Sequence, residues 1–393
     1  MIPISEPPRP TRVERRMALF ALGFRPFYLL ASLFSALAIL AWVGALHGMP
    51  WRAPIASIGW HQHEMLFGFA LAVIAGFLLT AGRAWTGLAT PVRWPLALLT
   101  AHWLAARVLL LTGPWTLAAV VDASFPFVLA AVLGRVLFSA RNHRNYFAVA
   151  LLVALGFADI GFYLEQAGVL QTPGKSSMTA LYLVTTLVVV MGGRVVPAFT
   201  ANALPRAGVV RAPKLDAAAL VFTLAAFIAD IASLPPAIVA PLASAAALLQ
   251  AIRILRWAPL ATRSEPLLWI MHISYAWIPL GLVLLAMGAL GWLPQGAATH
   301  AFGVGAVGGM IIAMITRTAL GHTGRPLRAG GPEIAAYLLV QAAAFIRVMA
   351  SLAPGAYLAW IGAAGALWSA GFLVYAWTYA PRLSLPRVDG KPG

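Results

Sequence analysis

The chemistry that this sequence can support lies mainly in its histidines. His61 and His63 stand in the string WHQHE at residues 60–64, at the start of one apolar run, and His300 stands at the start of another. Neutral imidazole binds copper, zinc and iron. Residues i and i+2 do not share a face of a regular helix, but a non-helical residue at the helix start would let both imidazoles converge. If the two runs are neighbours, we expect these three histidines to form an outer metal cluster; interfacial anchoring is the alternative.

Two further histidines, His272 and His322, lie near the opposite ends of apolar runs. An ionisable side chain within such a run is costly and is therefore a functional candidate, although each could equally be structural. From His300 to Arg317 is 17 residues, roughly 25 Å of helix, so His322 cannot share an ion with His300. We therefore prefer two sites, with His272 and His322 in the inner one. Interfacial roles are expected for His47 and His143, whereas His102, within an apolar run, could be a packed, hydrogen-bonded histidine or a ligand.

Charged residues near the runs are the other candidates. Glu64 could orient a ligating imidazole, deliver protons, or serve as the partner of Arg107, which lies inside a run. Guanidinium pairs with carboxylate through two parallel hydrogen bonds. Three arginines lie at the inner ends of runs, namely Arg83, Arg194 and Arg317. They could therefore bind anionic groups such as haem propionates, and they could bind lipid headgroups equally well.

Membrane-spanning helices must position these side chains. Of the 393 residues, 61% are hydrophobic and 10% are charged, whereas about 25% are charged in a soluble domain. The apolar residues come in runs of about 20, the length of a helix that crosses a bilayer. The sequence predicts an all-α, polytopic bundle with about twelve spans, at residues 27–46, 61–81, 95–112, 115–137, 146–166, 177–199, 214–232, 236–256, 266–290, 299–317, 332–351 and 357–379.

The basic residues predict the topology. With a cytoplasmic amino terminus, 23 of the 27 Lys and Arg residues fall in inner tails, loops and helix ends, whereas only Arg52 and Lys175 fall in outer loops. This alternation is the positive-inside pattern and predicts a bacterial inner-membrane protein with both termini in the cytoplasm. We divide it into a basic tail (1–26), one twelve-helix membrane domain (27–379) and a carboxy-terminal tail (380–393). Its net charge of +16 then reflects cytoplasmic loops and not nucleic-acid binding.

The inner ends of predicted helices 2, 6 and 10 resemble one another. Each carries one of the three arginines above, and all three helices are rich in glycine, which permits close helix packing. A repeat at every fourth helix suggests three four-helix units around a pseudo-threefold axis, with these three helices innermost. The alternative is that the arginines merely follow the positive-inside rule.

Missing residues and motifs exclude some classes of chemistry. The sequence contains no cysteine, which excludes disulfides, thiolate metal sites and covalently attached c-type haem. It also contains no P-loop and no Rossmann glycine fingerprint. ATP-driven pumping and nucleotide chemistry within this chain are therefore not expected.

Several short strings of this sequence are distinctive. They are LGFRPF at 22–27, WHQHEMLFGF at 60–69, AGFLLTA at 75–81, GGRVVP at 192–197, MHISYAW at 271–277 and the segment 316–326, with Gly321-His322-Thr323-Gly324-Arg325-Pro326 at its end. Together these strings resemble the NnrS family. The resemblance implies a twelve-helix bacterial membrane protein that contains haem and copper and is associated with denitrification and resistance to nitrosative stress. It implies b-type, non-covalent haem, and haem or copper ligands among His61, His63, His272, His300 and His322.

Three functions follow as hypotheses. The first is a haem–copper protein that relieves nitric oxide stress. In one version it is a reductase that forms nitrous oxide, with protons from Glu64 and electrons from an unknown donor. The second is a protein that binds haem or copper and scavenges nitric oxide without turnover. The third is a secondary transporter whose path is lined by Arg107, Asp122 and Asp159. The expected partners are the lipid bilayer, nitric oxide and that electron donor.

Overall fold

The computed structural model describes residues 17–51 and 53–391, without the side chain of Pro354, and its regular structure there is entirely helical. Residues 1–16 of the predicted amino-terminal tail, Arg52 and the last two residues lie outside the described part. The described residues form twelve long helices: α1 Phe24–Leu46, α2 Ser57–Thr86, α3 Trp94–Thr112, α4 Trp115–Ser139, α5 Tyr146–Gln166, α6 Lys175–Ala203, α7 Pro213–Ile231, α8 Pro236–Leu255, α9 Pro266–Ala289, α10 Gly296–His322, α11 Gly331–Leu352 and α12 Tyr357–Ser384.

These helices coincide with the twelve predicted spans, and the predicted all-α bundle is confirmed. Eleven of them are long and apolar enough to cross a membrane. The other helix, α7, is 19 residues long and carries Lys214, Asp216 and Asp230. Its two aspartates are paired, because Asp216 Oδ1 lies 2.6 Å from Arg253 Nε and Asp230 Oδ2 accepts a hydrogen bond from Tyr182. Some ends differ from prediction: α12 continues to Ser384, within the predicted tail.

Helix packing repeats with a shift of four helices. Helix α4 packs against α5, α8 packs against α9, and α12 packs against α1, which closes the bundle. In the same way, α3 contacts α4, α7 contacts α8, and α11 contacts α12. Helix α6 contacts both α2 and α10. This pattern agrees with the predicted arrangement of three four-helix units.

The most enclosed helices are α2 and α10. In their most apolar stretches, 78% and 72% of the residues are buried, compared with 61% in α9 and 50% in α6. The prediction that helices 2, 6 and 10 are innermost therefore holds for two of the three. Glycines permit this close packing: a Cβ at Gly305 would lie 2.4 Å from the Trp277 ring, and one at Gly308 would lie 2.4 Å from the Trp368 ring.

Both enclosed helices contain a π-helical segment near their start. It spans Glu64–Ala70 in α2 and Ala301–Gly308 in α10, so each segment directly follows a histidine, His63 or His300. π-Helical turns are rare and occur frequently at functional sites. Following the predicted topology, we call the end at which the even-numbered helices begin the outer end. The two irregular helices thus bring their histidines to the outer end of the bundle.

Candidate functional site

A cavity of about 300 Å³ lies between the starts of α2 and α10. It is lined by two imidazoles, those of His61 and His300, and by the guanidinium of Arg347 from α11. This volume is at the lower end of the range for pockets that bind small organic ligands. Most of the remaining wall is apolar and includes Trp42, Met65, Leu66, Phe69 and Trp368.

The two imidazoles of the cavity are held by different contacts. The His61 ring stacks on Trp42 with a centroid distance of 3.8 Å, and its buried Nδ1 has no hydrogen-bond partner in the described part of the chain. His300 Nδ1–H donates to the carbonyl oxygen of Gly296 at 2.6 Å, one helical turn earlier. In the neutral imidazole, this donation leaves Nε2 unprotonated. Histidines that bind metals are commonly oriented in this way, so His300 is well prepared to act as a ligand.

Arg347 is a buried cation with weak partners. Its side chain is 8% exposed, and it donates to the hydroxyls of Ser351 and Tyr357 over 3.3 and 3.4 Å. In the described part of the chain, no carboxylate forms an ion pair with it. A buried charge needs compensation, so the cavity favours a ligand that carries an anionic group. Arg347 is not among the site residues predicted from the sequence, although its position within an apolar span is a signal of a functional residue.

His63 lies on the opposite side of α2 from the cavity. It is fully buried, with Nε2 3.0 Å from Asp159 Oδ1 and 3.3 Å from Asp122 Oδ2, and with Nδ1 3.3 Å from Glu64 Oε1. The expected three-imidazole cluster therefore does not form. The physical reason is that α2 is already helical from Ser57, so two positions along it correspond to about 200° around its axis.

Arg107 of α3 joins the carboxylates around His63. Its Nη1 donates to Glu64 Oε2 at 2.7 Å, and its Nη2 donates to Asp122 Oδ1. Glu64 is therefore the partner of Arg107, one of the roles considered for it. Tyr163 of α5 donates from its hydroxyl to Asp122 Oδ2 at 2.9 Å. We call this set the polar cluster; it consists of His63, Glu64, Arg107, Asp122, Asp159 and Tyr163, each at most 5% exposed.

Gly68, in the π-helical segment of α2, makes room for this cluster. At Gly68, a Cβ would lie 2.4 Å from Glu64 Oε2 and 3.0 Å from Arg107 Nη1. The Gly68 carbonyl also accepts a hydrogen bond from Trp103 Nε1 at 2.9 Å. A glycine at this position thus allows the Glu64–Arg107 ion pair to lie directly against the helix.

The two inner histidines have separate surroundings. His272 of α9 is 3% exposed and donates from Nδ1 to the Leu268 carbonyl oxygen at 3.0 Å. The His322 ring, at the end of α10, lies 5.6 Å from the ring of Phe24. Within the described residues, no ring contact or hydrogen bond joins the two histidines. The structure therefore shows them at the same end of the bundle but not in one cluster.

The three arginines proposed to bind anionic groups lie away from the cavity. Arg83 is exposed. Arg194 donates to Asn145 Oδ1 at 2.9 Å, and the Arg317 guanidinium lies 4.0 Å from the centre of the Phe199 ring. Among the residues that the structure describes, none of the three pairs with a carboxylate. They remain available to anions at the inner end, whereas Arg347 serves the outer cavity.

Comparison with known families identifies the chain. A family profile described as "NnrS protein" matches residues 18–387, nearly the whole sequence. The chain belongs to the NnrS family. The resemblance of the short strings is thereby confirmed, and the eleven candidate spans make this NnrS protein an integral membrane protein. Membership supports a role in the nitric oxide response. A comparison with curated proteins finds no match.

The NnrS family is associated with haem and copper, and the donor set of the outer cavity fits both. Imidazoles from two helices are suitable ligands for iron and copper. The apolar and aromatic wall suits a porphyrin, and Arg347 can pair with a carboxylate. The buried, unpartnered Nδ1 of His61 is a further atom that a ligand could satisfy. By contrast, the polar cluster offers one imidazole among three carboxylates, and carboxylate oxygens are hard donors that suit ions such as Mg²⁺ and Mn²⁺.

Proposed function

We propose that this NnrS protein is a membrane haem–copper protein that relieves nitric oxide stress at the outer cavity. One observation carries the proposal: His61 and His300, from two neighbouring units of the bundle, face one apolar cavity together with the weakly paired Arg347. Nitric oxide is small and apolar and partitions into membranes. It can therefore enter a cavity between transmembrane helices without a polar channel.

Each of these side chains has a defined part in the proposal. His61 and His300 would provide the nitrogen ligands, and Arg347 would bind a carboxylate of the haem. A haem iron or copper bound there would supply the redox chemistry and a coordination position for nitric oxide. Trp42, stacked on His61, would hold that imidazole in place. An inner site that uses His272 or His322 with Arg194 or Arg317 remains a separate proposal.

Reduction of nitric oxide makes a further demand on the protein. Coupling two molecules of nitric oxide to one of nitrous oxide consumes two protons and two electrons and releases one water. We propose Glu64 as the proton carrier of this version, with electrons from a donor that is still to be identified. Glu64 is salt-bridged to Arg107 and does not line the cavity, so protons would have to pass around α2.

A second candidate function is binding without turnover. Among the described residues, no aspartate or glutamate lines the cavity, so none of their carboxyl groups lies there to deliver protons to nitric oxide. This favours a protein that holds haem or copper and scavenges nitric oxide stoichiometrically. Steady-state consumption of nitric oxide with an electron donor separates the two functions: continued consumption indicates a reductase, and one equivalent per site indicates a binding protein.

The first experiment is an ultraviolet–visible spectrum of the detergent-purified protein, oxidised and reduced, with metal analysis of the same sample. We expect a Soret band that shifts on addition of nitric oxide, with copper present. His61→Ala and His300→Ala should each lose most of the haem or copper, whereas His322→Ala at the inner end serves as the matched control. A haem-replete preparation with neither haem nor metal would refute the proposal and favour a transporter. Loss in His322→Ala alone would move the site to the inner end.

A further inference from the structure

We propose that the polar cluster binds one divalent cation of the Zn²⁺ or Mn²⁺ class through His63, Asp122 and Asp159. This site is separate from the outer cavity and does not depend on the function proposed for that cavity. The three ligands come from α2, α4 and α5, so the ion would connect three helices. It would lie beside the helical turn that also carries His61.

The geometry of the three side chains suits a metal ion. One ligand atom from each side chain can be chosen so that all three lie within 4.8 Å of one another. His63 Nε2 lies 3.0 Å from Asp159 Oδ1 and 3.3 Å from Asp122 Oδ2. For metal–ligand bonds of about 2.0 Å, tetrahedral ligands are roughly 3.3 Å apart. An ion can therefore bind between these atoms with only small movements of the side chains.

Asp159 provides an independent indication of a ligand. It is fully buried, and its Oδ2 has no hydrogen-bond partner among the residues that the structure describes. Buried carboxylate oxygens are normally satisfied, since leaving one without a partner costs about 1–3 kcal/mol or more. A cation bound at Asp159 would satisfy this oxygen, which could also act as a fourth ligand.

The surrounding residues would orient the ligands. Glu64 Oε1 lies 3.3 Å from His63 Nδ1, so it can accept the Nδ1–H and leave Nε2 directed at Asp122 and Asp159. A carboxylate behind a ligating histidine fixes its tautomer and raises its basicity. Tyr163 and Arg107 both donate to Asp122 and hold its carboxylate in place. All the residues needed for a supported metal site are thus present.

Charge neutrality gives the strongest argument. The cluster contains three carboxylates and one guanidinium, all buried within the bundle. If His63 is protonated and no metal is bound, one negative charge remains uncompensated, and such a buried charge is very costly. A divalent cation beside a neutral His63 makes the cluster neutral. The alternative is that His63 and one carboxyl group are both protonated.

The donor types decide the class of ion. Carboxylates favour hard cations such as Mg²⁺ and Mn²⁺, whereas imidazole favours Zn²⁺, copper and iron. One imidazole with two aspartates lies between these preferences, and a small number of protein ligands suits tetrahedral Zn²⁺. Copper is better matched by the two imidazoles of the outer cavity.

The test measures metal content and does not depend on haem. Full-length protein in detergent is treated with a chelator and then titrated with Zn²⁺ or Mn²⁺, and bound metal is determined by elemental analysis. We expect about one tight equivalent per chain and a rise in Tm when Zn²⁺ or Mn²⁺ is restored. Asp159→Asn should weaken binding at least tenfold, whereas Asp230→Asn, a similar change at an aspartate of α7 bonded to Tyr182, should bind normally.

Three outcomes would overturn the proposal. The first is no tight Zn²⁺ or Mn²⁺ and no rise in the Tm of the folded wild-type protein, a result that stands even if Asp159→Asn fails to fold. The second is an infrared band of a buried, protonated carboxyl group that persists with Zn²⁺ or Mn²⁺ present and disappears in Asp159→Asn. The third is an Asp159→Asn variant that loses copper and no other metal, because the cluster would then be the copper site itself.

Discussion

The two sides of the first turns of α2 place the same residue type in opposite environments. His61 stacks on an indole and faces a mostly apolar cavity, whereas His63, two positions later, is enclosed by Glu64, Asp122 and Asp159. The comparison shows that histidine spacing alone does not define a site. The neighbouring helices decide whether an imidazole is a free ligand or one member of a charged network.

The same contrast holds for the two arginines within the spans. Arg107 is paired with Glu64 and Asp122, whereas Arg347, among the described residues, makes two long hydrogen bonds to hydroxyls and lies over the Tyr357 ring. The cation of Arg107 is therefore compensated within the protein. The cavity, in contrast, contains a cation that an external ligand can neutralise.

The largest effect is expected at Arg107. Arg107→Ala leaves Glu64 and Asp122 buried without their cation, and breaking such a buried pair costs about 3–5 kcal/mol. We expect little monodisperse protein and a large drop in Tm, measured in detergent. The control is Arg83→Ala, because Arg83 is exposed and should contribute at most about 0.5 kcal/mol. Equal stability of the two variants would contradict the described ion pairs.

The next effect concerns ligand affinity at Arg347. Arg347→Ala should weaken haem binding about 10- to 100-fold, since hydrogen bonds to charged groups contribute about 1.5–3 kcal/mol. Titration of haem into apo-protein measures this change, and Arg347→Lys should restore part of the affinity. Arg317→Ala is the matched control at the inner end. If Arg317→Ala loses affinity and Arg347→Ala does not, the cavity is not the haem site.

A smaller effect is expected from glycines of the π-helical segment in α10. A Cβ at Gly308 would lie 2.4 Å from the Trp368 ring, whereas one at Gly303 would make an ordinary contact of 3.7 Å with Leu181. Gly308→Ala should therefore cost about 1–3 kcal/mol through overpacking, and Gly303→Ala should leave Tm nearly unchanged. Thermal unfolding of both variants in the same detergent tests this. A stable Gly308→Ala variant would argue against the close packing of Trp368.

The smallest effect is expected at an exposed ion pair beyond α12. Hydrogen bonds from Arg387 lower the pKa of the Asp389 carboxyl group to about 2. The carboxylate is ionised well above that value, so any stabilisation persists at neutral pH and is lost only as the pH falls towards 2. Solvent screens this pair, and Asp389→Asn should not change Tm between pH 5 and pH 8. A clear drop in Tm would show that exposed pairs matter as much as the polar cluster.

The helices were predictable from the sequence because the bilayer imposes a simple rule on each of them. Apolar runs of about 20 residues predicted all twelve helices. The repeat at every fourth helix, suggested by three arginines, appears in the helix packing. The extended ends of α2 and α12 were missed, because polar and aromatic residues at an interface carry no hydropathy signal. The π-helical turns at Glu64–Ala70 and Ala301–Gly308 were also missed, since they depend on the neighbours of each helix.

The candidate site, too, was predictable only in part from the sequence. The sequence by itself determined that this is a twelve-helix NnrS membrane protein with histidines at the starts of helices 2 and 10, because span length and short motifs are local properties. Only the tertiary structure decided that His61 and His300 share a cavity with Arg347 while His63 joins Asp122 and Asp159. The reason is physical: the side of a helix that a residue occupies follows from its spacing, but the groups it meets there come from helices far away in the chain.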